Sequence, residues 1–580
     1  MTRPSLPRVF VALLFGAVAM SMLAWTWLTW PDPIVDFGQQ LYAAWQVSEG
    51  AVLYRDLAYF HGPLSVHVNA AAMALLGDSL ITLVGLNLFV LVLTLVLIRR
   101  IAEWLGGLWV AAAAGVVFLI VFAFARYLPT GNYNWVTPYT HEITHGLALA
   151  LAALFVLTTA QRQRDAWLAG VLAGLVLLTK LEVAVALVAT FGVLLVLERR
   201  WWSRVVGGVV GVLGVAWVGL AIRLGPVDAW LGIVTPYRAP FLAGAESFPL
   251  YRRMLGLDDP VTTVLHLGRA SIWWLIAGAM VVALGFLFRG RTKIGIAAAV
   301  PLVGLVAFVG GVPWLQLARP LPVLVIAAAG YWLWRWRHEP AKEASDPTEA
   351  RRQAFRHRRI VLAAGLCLFA TFLLAKILAT RVYHVGFALA LPAALVLVVA
   401  ALAWLPRWIA GRGGDALVAR TAATALLIVA LWGHLHAMSG PIDAQTRAVG
   451  VQASDIFWAD QRGPVVQATL EAIETRTEAD DTLLIVPDGI MLAYLSRRRI
   501  AGPYLNYVPT EVLAFGETRM LEDLVADPPD HVVVVRKSTR EFGYEGFGID
   551  YGLLLSTWID QHYQPVGRVG DGDVLLLSRR

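Results

Sequence analysis

The sequence has few charged residues and almost no cysteine. Only 15% of its 580 residues are charged and 58% are hydrophobic, which gives a mean hydropathy of +0.66. Soluble domains carry about 25% charged residues and about 45–50% apolar ones, so this composition indicates a chain solvated mostly by lipid. The single cysteine, Cys367, excludes an intramolecular disulfide but does not identify the compartment.

The net charge of +7 does not indicate a nucleic-acid partner. The Arg residues cluster at the ends of apolar runs, where membrane proteins place anchors that face a negative lipid surface. The first apolar run resembles a signal peptide. It is longer than a signal core and ends in Trp-rich sequence without an Ala-x-Ala site, so we interpret it as a retained first helix. We expect membrane lipids, and no nucleic acid, as partners.

Apolar runs long enough to cross a bilayer recur through the first three quarters of the chain, since a span needs about 20 apolar residues. The short run 165–179 is the weakest of them. The sequence predicts about thirteen spans, at 9–30, 80–98, 108–125, 142–160, 165–179, 182–198, 204–222, 270–288, 294–311, 319–334, 360–378, 383–404 and 416–435.

The basic residues predict the orientation of these spans. With the N-terminus inside, the Arg-rich connections, including the long link from Arg335 to Arg359, all fall on the inner side. An odd number of spans then places residues from about 436 onward outside. Richness in Ala, Arg, Gly and Val is typical of a bacterial genome of high GC content. We therefore expect a multi-pass protein of the bacterial inner membrane, with a cytoplasmic N-terminus.

The C-terminal part has a different pattern, in which short apolar strands alternate with helices, and this alternation predicts a small extracytoplasmic α/β domain. Its Gly cluster at 543–548 does not follow a strand and open a helix, so no phosphate-binding loop is predicted. We interpret the domain as a lid, scaffold or acceptor-recognition module. The predicted elements are strands 482–486, 531–535 and 573–577 and helices 465–477 and 551–561, and the predicted domains are 1–438 and 439–580.

The first external loop, residues 31–79, is too rich in polar and aromatic residues for a simple connection. Helical spacing after Asp36 predicts an interfacial helix with its apolar stripe in the lipid boundary, and Pro63 to Gly77 bound a second interfacial helix. Asp36 followed by Gln39 is also a capping-box pattern. Asp32 is interpreted as a turn residue.

In this loop the sequence resembles the GT-C superfamily of membrane glycosyltransferases, in particular bacterial relatives of protein mannosyltransferases and aminoarabinose transferases. The resemblance covers most of the chain in architecture but only about 30 residues in motifs. It departs from the pattern because His61-Gly62-Pro63 stands where Lys-Pro-Pro is expected. The residues that carry it are Asp36, Gly50-x-x-x-Tyr54-x-Asp56 and Gly62-Pro63-Leu64.

The resemblance implies a polytopic α-helical fold of GT-C type and a sugar donor carried on polyprenyl phosphate. The acceptor is then a hydroxyl of a cell-envelope glycan, lipid or protein. By position Asp36 corresponds to the family's catalytic aspartate, here a general base in an inverting transfer. Asp56, His61 and Tyr54 are expected to shape the sugar site. No cofactor is expected, and the absence of an external Asp-x-Asp pair argues weakly against an obligatory divalent metal.

Transfer of this kind also needs cations for the departing phosphate. Lys180 is the first candidate, together with Arg381 or His384 at the external start of the twelfth span. Two simpler interpretations stay open at this point. The first is that Lys180 and Glu182 form a mutual ion pair. The second is that the residues at 381–384 only anchor the helix at the interface.

The segment between the third and fourth spans holds Asn134, His141, Glu142 and His145. These residues are candidates for sugar or phosphate contacts, and a structural helix start is the simplest alternative. The letters His141 to His145 also match HExxH, the motif of zinc proteases, although no third ligand is evident. The loop 225–262 is interpreted as a lid, an acceptor site or a linker.

Three other classes of function remain as alternatives to a transferase. A transporter or lipid flippase should carry charged residues in the middle of its spans and paired interrupted helices. This chain instead concentrates its ionisable groups at one face. An intramembrane zinc protease should contain stoichiometric zinc. An inactive scaffold of GT-C type has the same sequence features as the enzyme.

Overall fold

The computed structural model describes residues 6–129, 133–242, 244, 248–309, 311–339, 346–570 and 572–580. A bundle of helices precedes a smaller region that contains the sheets. The bundle helices are α1 Leu6–Thr26, α2 Phe37–Ser48, α3 Pro63–Leu76, α4 Leu80–Gly106, α5 Leu108–Val117, α6 His141–Thr159, α7 Gln163–Leu177, α8 Leu181–Leu197, α9 Trp202–Leu224, α10 Pro226–Leu242, α11 Pro249–Leu255, α12 Pro260–Leu287, α13 Thr292–Val309, α14 Leu321–His338, α15 Pro347–Leu374, α16 Leu391–Val399, α17 Leu405–Ala410 and α18 Ala416–Asp443.

The helices confirm a polytopic membrane protein. All thirteen predicted runs fall on helical segments, with π-helical turns at Phe118–Ala123 and Ala400–Trp404. Among the described residues, nine helical segments are long and apolar enough to cross a bilayer by length and composition. Helices such as α7 and α8 are shorter. The number thirteen therefore stays a prediction.

The C-terminal region confirms the predicted α/β pattern. Its main sheet has the order β4-β3-β5-β7-β6, with β3 parallel to both β4 and β5, and with β7 antiparallel to both β5 and β6. The strands are β1 Arg447–Val449, β2 Phe457–Ala459, β3 Thr482–Val486, β4 Arg499–Ile500, β5 His531–Val535, β6 Tyr563–Val569 and β7 Val574–Arg579, and the helices are α19 Gly463–Arg476, α20 Ile490–Leu495, α21 Pro509–Phe515, α22 Glu517–Ala526 and α23 Leu553–His562.

The α/β region covers the end of the bundle at which the first external segment lies, here called the domain face. Asp455 of this region accepts a hydrogen bond from the N–H of Leu80 at the start of α4 (2.7 Å) and pairs with Arg497 (2.6 Å). Arg462 pairs with Asp32 (2.9 Å). These contacts join the sheet region to the beginning of the chain.

Helix α2 is buried beneath this region. Nine of its twelve residues are buried, and it packs against both α20 and α3. A Cβ at Gly38 would lie 2.6 Å from the backbone nitrogen of Met491, so only glycine allows this approach. The predicted position of α2 in the lipid boundary is wrong. An apolar stripe buries equally well against protein or lipid, and sequence periodicity does not distinguish the two.

Candidate functional site

Asp36 lies at the start of α2 in an unusual backbone conformation. Its φ is 62° and its ψ is −85°, a region that residues other than glycine rarely adopt and that costs about 1–3 kcal/mol. Its carboxylate makes no capping hydrogen bond, so the capping-box interpretation with Gln39 is wrong. Asp32 is confirmed as a turn residue, because its Oδ1 accepts from the N–H groups of Ile34 and Val35 (both 2.9 Å).

The carboxylate of Asp36 has no hydrogen-bond or ion-pair partner among the described residues, although it keeps partial access to solvent. Desolvation by the surrounding protein raises its pKa from 3.8 to about 7, and the charges of Asp32 and Asp488 add to the effect. Lys537 acts in the opposite direction. A carboxylate with a pKa near neutrality is suited to accept a proton at physiological pH.

The Gly62-Pro63 turn brings a second element against this segment. The N–H groups of Gly62 and Leu64 donate to the carbonyls of Thr179 and Leu178 (2.8 and 3.0 Å), between α7 and α8. This pairing places His61 beside Lys180, whose Nζ lies 3.3 Å from His61 Nε2. The predicted sugar-site residue and the predicted phosphate-site residue are therefore in direct contact.

Lys180 is buried between rings and carboxylates. Its Nζ lies 5.2 Å from the centre of the Tyr139 ring. Desolvation lowers its pKa from 10.5 to about 8, against the charges of Glu142 and Asp36, which favour the ammonium form. The alternative of a Lys180–Glu182 ion pair is wrong, because Glu182 pairs with Lys376 instead.

Replacement of Gly62 by alanine should disturb this arrangement. A Cβ at this position would lie 2.2 Å from the carbonyl carbon and oxygen of Leu178, so the turn that carries Lys180 must move. We expect a loss of stability of about 1–3 kcal/mol and weaker binding of phosphate ligands. Thermal unfolding of the detergent-solubilised protein measures the first effect. Gly192→Ala is the control, since no atom lies within 4 Å of its added Cβ, and equal stability of the two variants would contradict the prediction.

Three further basic side chains continue from Lys180 as a series of electrostatic neighbours, with His384 between Lys376 and Arg381. Lys376 and Lys180 repel each other electrostatically, and Arg381 and Arg319 also repel each other. We call Lys180, Arg319, Lys376 and Arg381 the cation cluster. Arg319 Nε and Arg381 Nε are buried, and no described residue accepts a hydrogen bond from either. Unused donors of this kind are available to an anionic ligand.

His384 lies at the edge of the cation cluster. Its Nδ1 accepts a hydrogen bond from the N–H of Gly386 (2.9 Å), so the neutral ring carries its proton on Nε2. This Nε2 is buried and has no partner in the described part of the chain. Burial and the charges of Arg381 and Lys376 lower the pKa of His384 to about 4, which keeps it a neutral donor.

An apolar cavity of about 400 Å³ lies close to the cation cluster. Ala318 and Val382, which line it, are next in sequence to Arg319 and Arg381. Lining residues run from Phe387 to Leu405, which corresponds to about 25 Å at the rise of a helix. The cavity lining therefore extends over most of the thickness of a bilayer's hydrocarbon core.

Glu142 is buried and bound inside the protein. Its Oε1 accepts from the hydroxyl of Tyr59 (2.7 Å) and its Oε2 from that of Thr140. Gln40 of α2 donates to the same Tyr59 oxygen (3.0 Å). Glu142 thus holds the first external segment against α6 and contributes negative charge beside Lys180.

The HExxH letters form part of a hydrogen-bond network. His141 Nδ1 lies 2.9 Å from the Gln40 amide oxygen, and its Nε2 lies 2.8 Å from Asn87 Nδ2. Both ring nitrogens are therefore engaged by amides. His145 Nδ1 contacts Ser65 Oγ (3.1 Å). No group of three metal-ligating side chains is found among the described residues, so these contacts favour the structural interpretation of the motif.

The remaining candidates lie at the border of the site. Asp56 is half exposed, pairs with Arg55 (2.8 Å) and accepts from the N–H of Val52 (2.7 Å). The Tyr54 hydroxyl donates to the carbonyl of His61 (2.8 Å) and supports the Gly62 turn. Asn134 is fully buried, and its side-chain oxygen accepts from two backbone N–H groups of its own turn. These contacts hold the three side chains within their own turns, and their contact with a substrate stays a prediction.

The predicted long loop 225–262 contains two helices, α10 and α11. Tyr237 of α10 donates to the carbonyl of Leu177 (2.7 Å), and Gly232 lies against the ring of Tyr54. Helix α10 therefore covers the Gly62 turn from the side. Part of this loop, residues 243 and 245–247, lies outside the described residues.

Sequence reasoning missed Arg319 and Lys376. Both stand at the ends of predicted spans, where basic residues usually act as interfacial anchors. The sequence did contain a signal for both residues. Each places a cationic group beside an apolar run at the face that is poor in basic residues, where a functional role is more common.

Comparisons with known proteins give a fold but no sequence family. No family model matches the chain, and no curated protein matches it. The crystal structure of ArnT from Cupriavidus metallidurans bound to undecaprenyl phosphate matches with a TM-score of 0.51 and 12% identity over 98% of this chain and 97% of that one. The chain therefore has the GT-C-type fold that the first external segment predicted.

A second group of solved structures is more distant. The Archaeoglobus fulgidus oligosaccharyltransferase tethered to an acceptor peptide matches with a TM-score of 0.48 and 11% identity. The match covers 97% of this chain and 74% of that chain. We base no argument on a likeness at this level.

Proposed function

We propose that this protein is a glycosyltransferase that moves a sugar from a polyprenyl-phosphate donor to an acceptor hydroxyl at the domain face. The observation that carries the proposal is the apolar cavity that lies close to the cation cluster. The isoprene units nearest the phosphate would occupy this cavity, and the phosphate would meet Arg319 and Arg381. The ArnT structure of the same fold contains undecaprenyl phosphate, which agrees with this class of ligand.

In the proposed reaction Asp36 is the general base. The acceptor hydroxyl attacks the anomeric carbon of the sugar, its proton passes to the Asp36 carboxylate, and the bond from that carbon to the phosphate oxygen breaks. Configuration at the anomeric carbon inverts. The unpartnered carboxylate and its pKa of about 7 support this role.

The cation cluster and His384 would stabilise the departing polyprenyl phosphate. Fixed charges that meet developing negative charge in a desolvated site lower the barrier without reorganisation. Lys180 links Asp36 to the rest of the cation cluster, since it contacts His61 and interacts electrostatically with both Asp36 and Lys376. His61 would border the sugar.

The distribution of basic residues supports an orientation with the domain face outside the cell. The Arg-rich helix ends, such as Arg99 and Arg100 of α4 and Arg407 of α17, lie at the opposite end of the bundle. We propose the bacterial inner membrane as the location, with a cell-envelope molecule as the acceptor.

Ligand binding tests the proposal directly. Native mass spectrometry of the full chain in nanodiscs should detect undecaprenyl phosphate bound at least tenfold more tightly than undecaprenol, because only the phosphate meets the cation cluster. A radiolabelled undecaprenyl-phosphate hexose should release undecaprenyl phosphate when membrane extract supplies acceptors. Equal binding of the phosphate and the alcohol would contradict the proposed donor.

The pH dependence of transfer is a further expectation. Asp36 must be deprotonated to accept a proton, so kcat/KM should rise with pH up to about 7. Lys180 must be protonated to bind phosphate, so kcat/KM should fall above about 8. The result is a bell-shaped profile. Lys180→Arg should move the alkaline limb upward, because guanidinium stays charged, and an unchanged alkaline limb would exclude Lys180 as its source.

A further inference from the structure

The α/β domain has a cluster of polar side chains at the carboxyl ends of β3 and β5 that the proposed donor site does not use. After β3 the chain continues to β4, at one edge of the sheet. After β5 it continues to β6 and β7, toward the opposite edge. Neighbouring parallel strands whose connections diverge leave a crevice outside their carboxyl ends, where α/β proteins bind ligands. Asp488 follows β3 and Lys537 follows β5, and their side chains pair across this crevice at 2.6 Å.

This crevice faces Asp36. Asp488 lies three residues before Met491, whose backbone contacts Gly38, and Asp36 lies two residues before Gly38. The charges of Asp488 and Lys537 shift the pKa of Asp36 in opposite directions, which agrees with this proximity. The domain thus approaches Asp36 through the segment between β3 and α20.

Further polar groups surround the ion pair. The Asn506 amide lies within hydrogen-bond distance of Asp488 Oδ1 (3.2 Å) and of Glu511 Oε1 (3.4 Å). Burial raises the pKa of Glu511 to about 8, so this side chain is a neutral acid at physiological pH. The backbone N–H of Tyr507 donates to the carbonyl of Pro487 (2.7 Å), while its buried hydroxyl has no partner in the described part of the chain.

The two sides of the site differ in charge. Lys180 of the cation cluster acts on Asp36 from the helical bundle, whereas Asp488 and Glu541 act on it from the domain, where Lys537 is the cation that opposes them. A phosphate group would be repelled on the domain side. Neutral hydroxyl groups would instead gain charge-assisted hydrogen bonds from the carboxylates and the ammonium group.

We propose that the crevice beyond β3 and β5 is the acceptor subsite, and that Asp488 and Lys537 position a neutral, hydroxyl-rich glycan without phosphate groups at Asp36. This inference rests on the proposed transferase function and names its acceptor class. Asp488 and Lys537 are specificity-determining residues in this scheme, and Asp36 alone takes the proton.

Binding of neutral and phosphorylated sugars tests the inference without turnover. The probes are linear oligosaccharides of glucose, mannose, galactose and arabinose and their phosphomonoesters, added to the full chain in nanodiscs and followed by saturation-transfer NMR. We expect at least one neutral oligosaccharide to bind at least tenfold more tightly than its phosphomonoester. The Asp488→Asn/Lys537→Met double variant, which leaves no unpaired charge, should weaken that binding at least tenfold.

The matched control is Asp481→Asn. Asp481 pairs with His531 (3.0 Å) at the other end of the same strands, so its loss should leave oligosaccharide binding unchanged. Thermal unfolding checks that each variant is folded. If the double variant does not fold, Lys537→Met alone replaces it in the binding experiment. Equal or tighter binding of every phosphomonoester, no binding of any neutral oligosaccharide, or unchanged binding by the crevice variants would overturn the inference. Undecaprenyl phosphate in the same preparation separates the two proposals, since its failure to bind would count against the donor and not against this subsite.

Discussion

Asp36→Asn is expected to reduce sugar transfer by about 100- to 10,000-fold, the usual contribution of a positioned general base. Asparagine has the same shape but does not accept the acceptor proton. The carboxylate makes no hydrogen bond with any residue that the structure describes, so its loss should not weaken the packing of α2. Undecaprenyl phosphate should therefore still bind. Single-turnover release of undecaprenyl phosphate from a labelled undecaprenyl-phosphate hexose measures the effect.

The control for Asp36 lies in the same external segment. Asp78 is half exposed and lies 3.6 Å from Arg497, so Asp78→Asn should keep transfer near the wild-type rate. Because Asp36 alone is assigned the role of general base, we expect a difference of at least a hundredfold between the two variants. Near-normal transfer by Asp36→Asn would remove this residue from the mechanism, whatever the donor proves to be.

Lys180→Met is expected to weaken the binding of undecaprenyl phosphate by about 10- to 100-fold, the effect of removing a hydrogen bond to a charged group. Methionine keeps most of the apolar length of the side chain, and Lys180 forms no ion pair that its loss would break. Titration in nanodiscs with native mass spectrometry gives the dissociation constant.

A distant lysine provides the control for Lys180. Lys293 is exposed at the start of α13, at the end of the bundle opposite the domain face, so Lys293→Met should bind undecaprenyl phosphate as the wild type does. Lys180→Arg should retain most of the affinity, since it preserves the charge. If Lys180→Met and Lys293→Met bind equally well, the phosphate does not meet Lys180.

The membrane fold was predictable because lipid imposes a length and a composition on every span. Each predicted run is helical, and the three predicted strands match β3, β5 and β7 to within two residues, whereas β1, β2, β4 and β6 were not predicted. These features depend on local apolar periodicity, which the sequence carries directly. The interfacial placement of α2 was wrong for the same reason, since the pattern shows an apolar face and not what covers it.

The partners of charged residues were harder to predict. The sequence suggested a pair between Lys180 and Glu182, which are neighbours in the chain, whereas Glu182 meets Lys376 from a different helix. The HExxH letters likewise suggested a zinc site, whereas both ring nitrogens of His141 contact side-chain amides from other helices. Such contacts join residues more than 50 positions apart, and local spacing holds no information about them.

The sequence by itself determined that this is a helical membrane protein with a terminal α/β region and a polar first external segment, because the bilayer and the helix repeat act on neighbouring residues. The tertiary structure decided what surrounds Asp36. It placed Lys180 beside His61 through the Gly62 turn, and it brought the cation cluster close to the apolar cavity and the Asp488–Lys537 pair close to Asp36. Desolvation and charge in a site depend on chain segments that meet only on folding, and they raise the pKa of Asp36 to about 7.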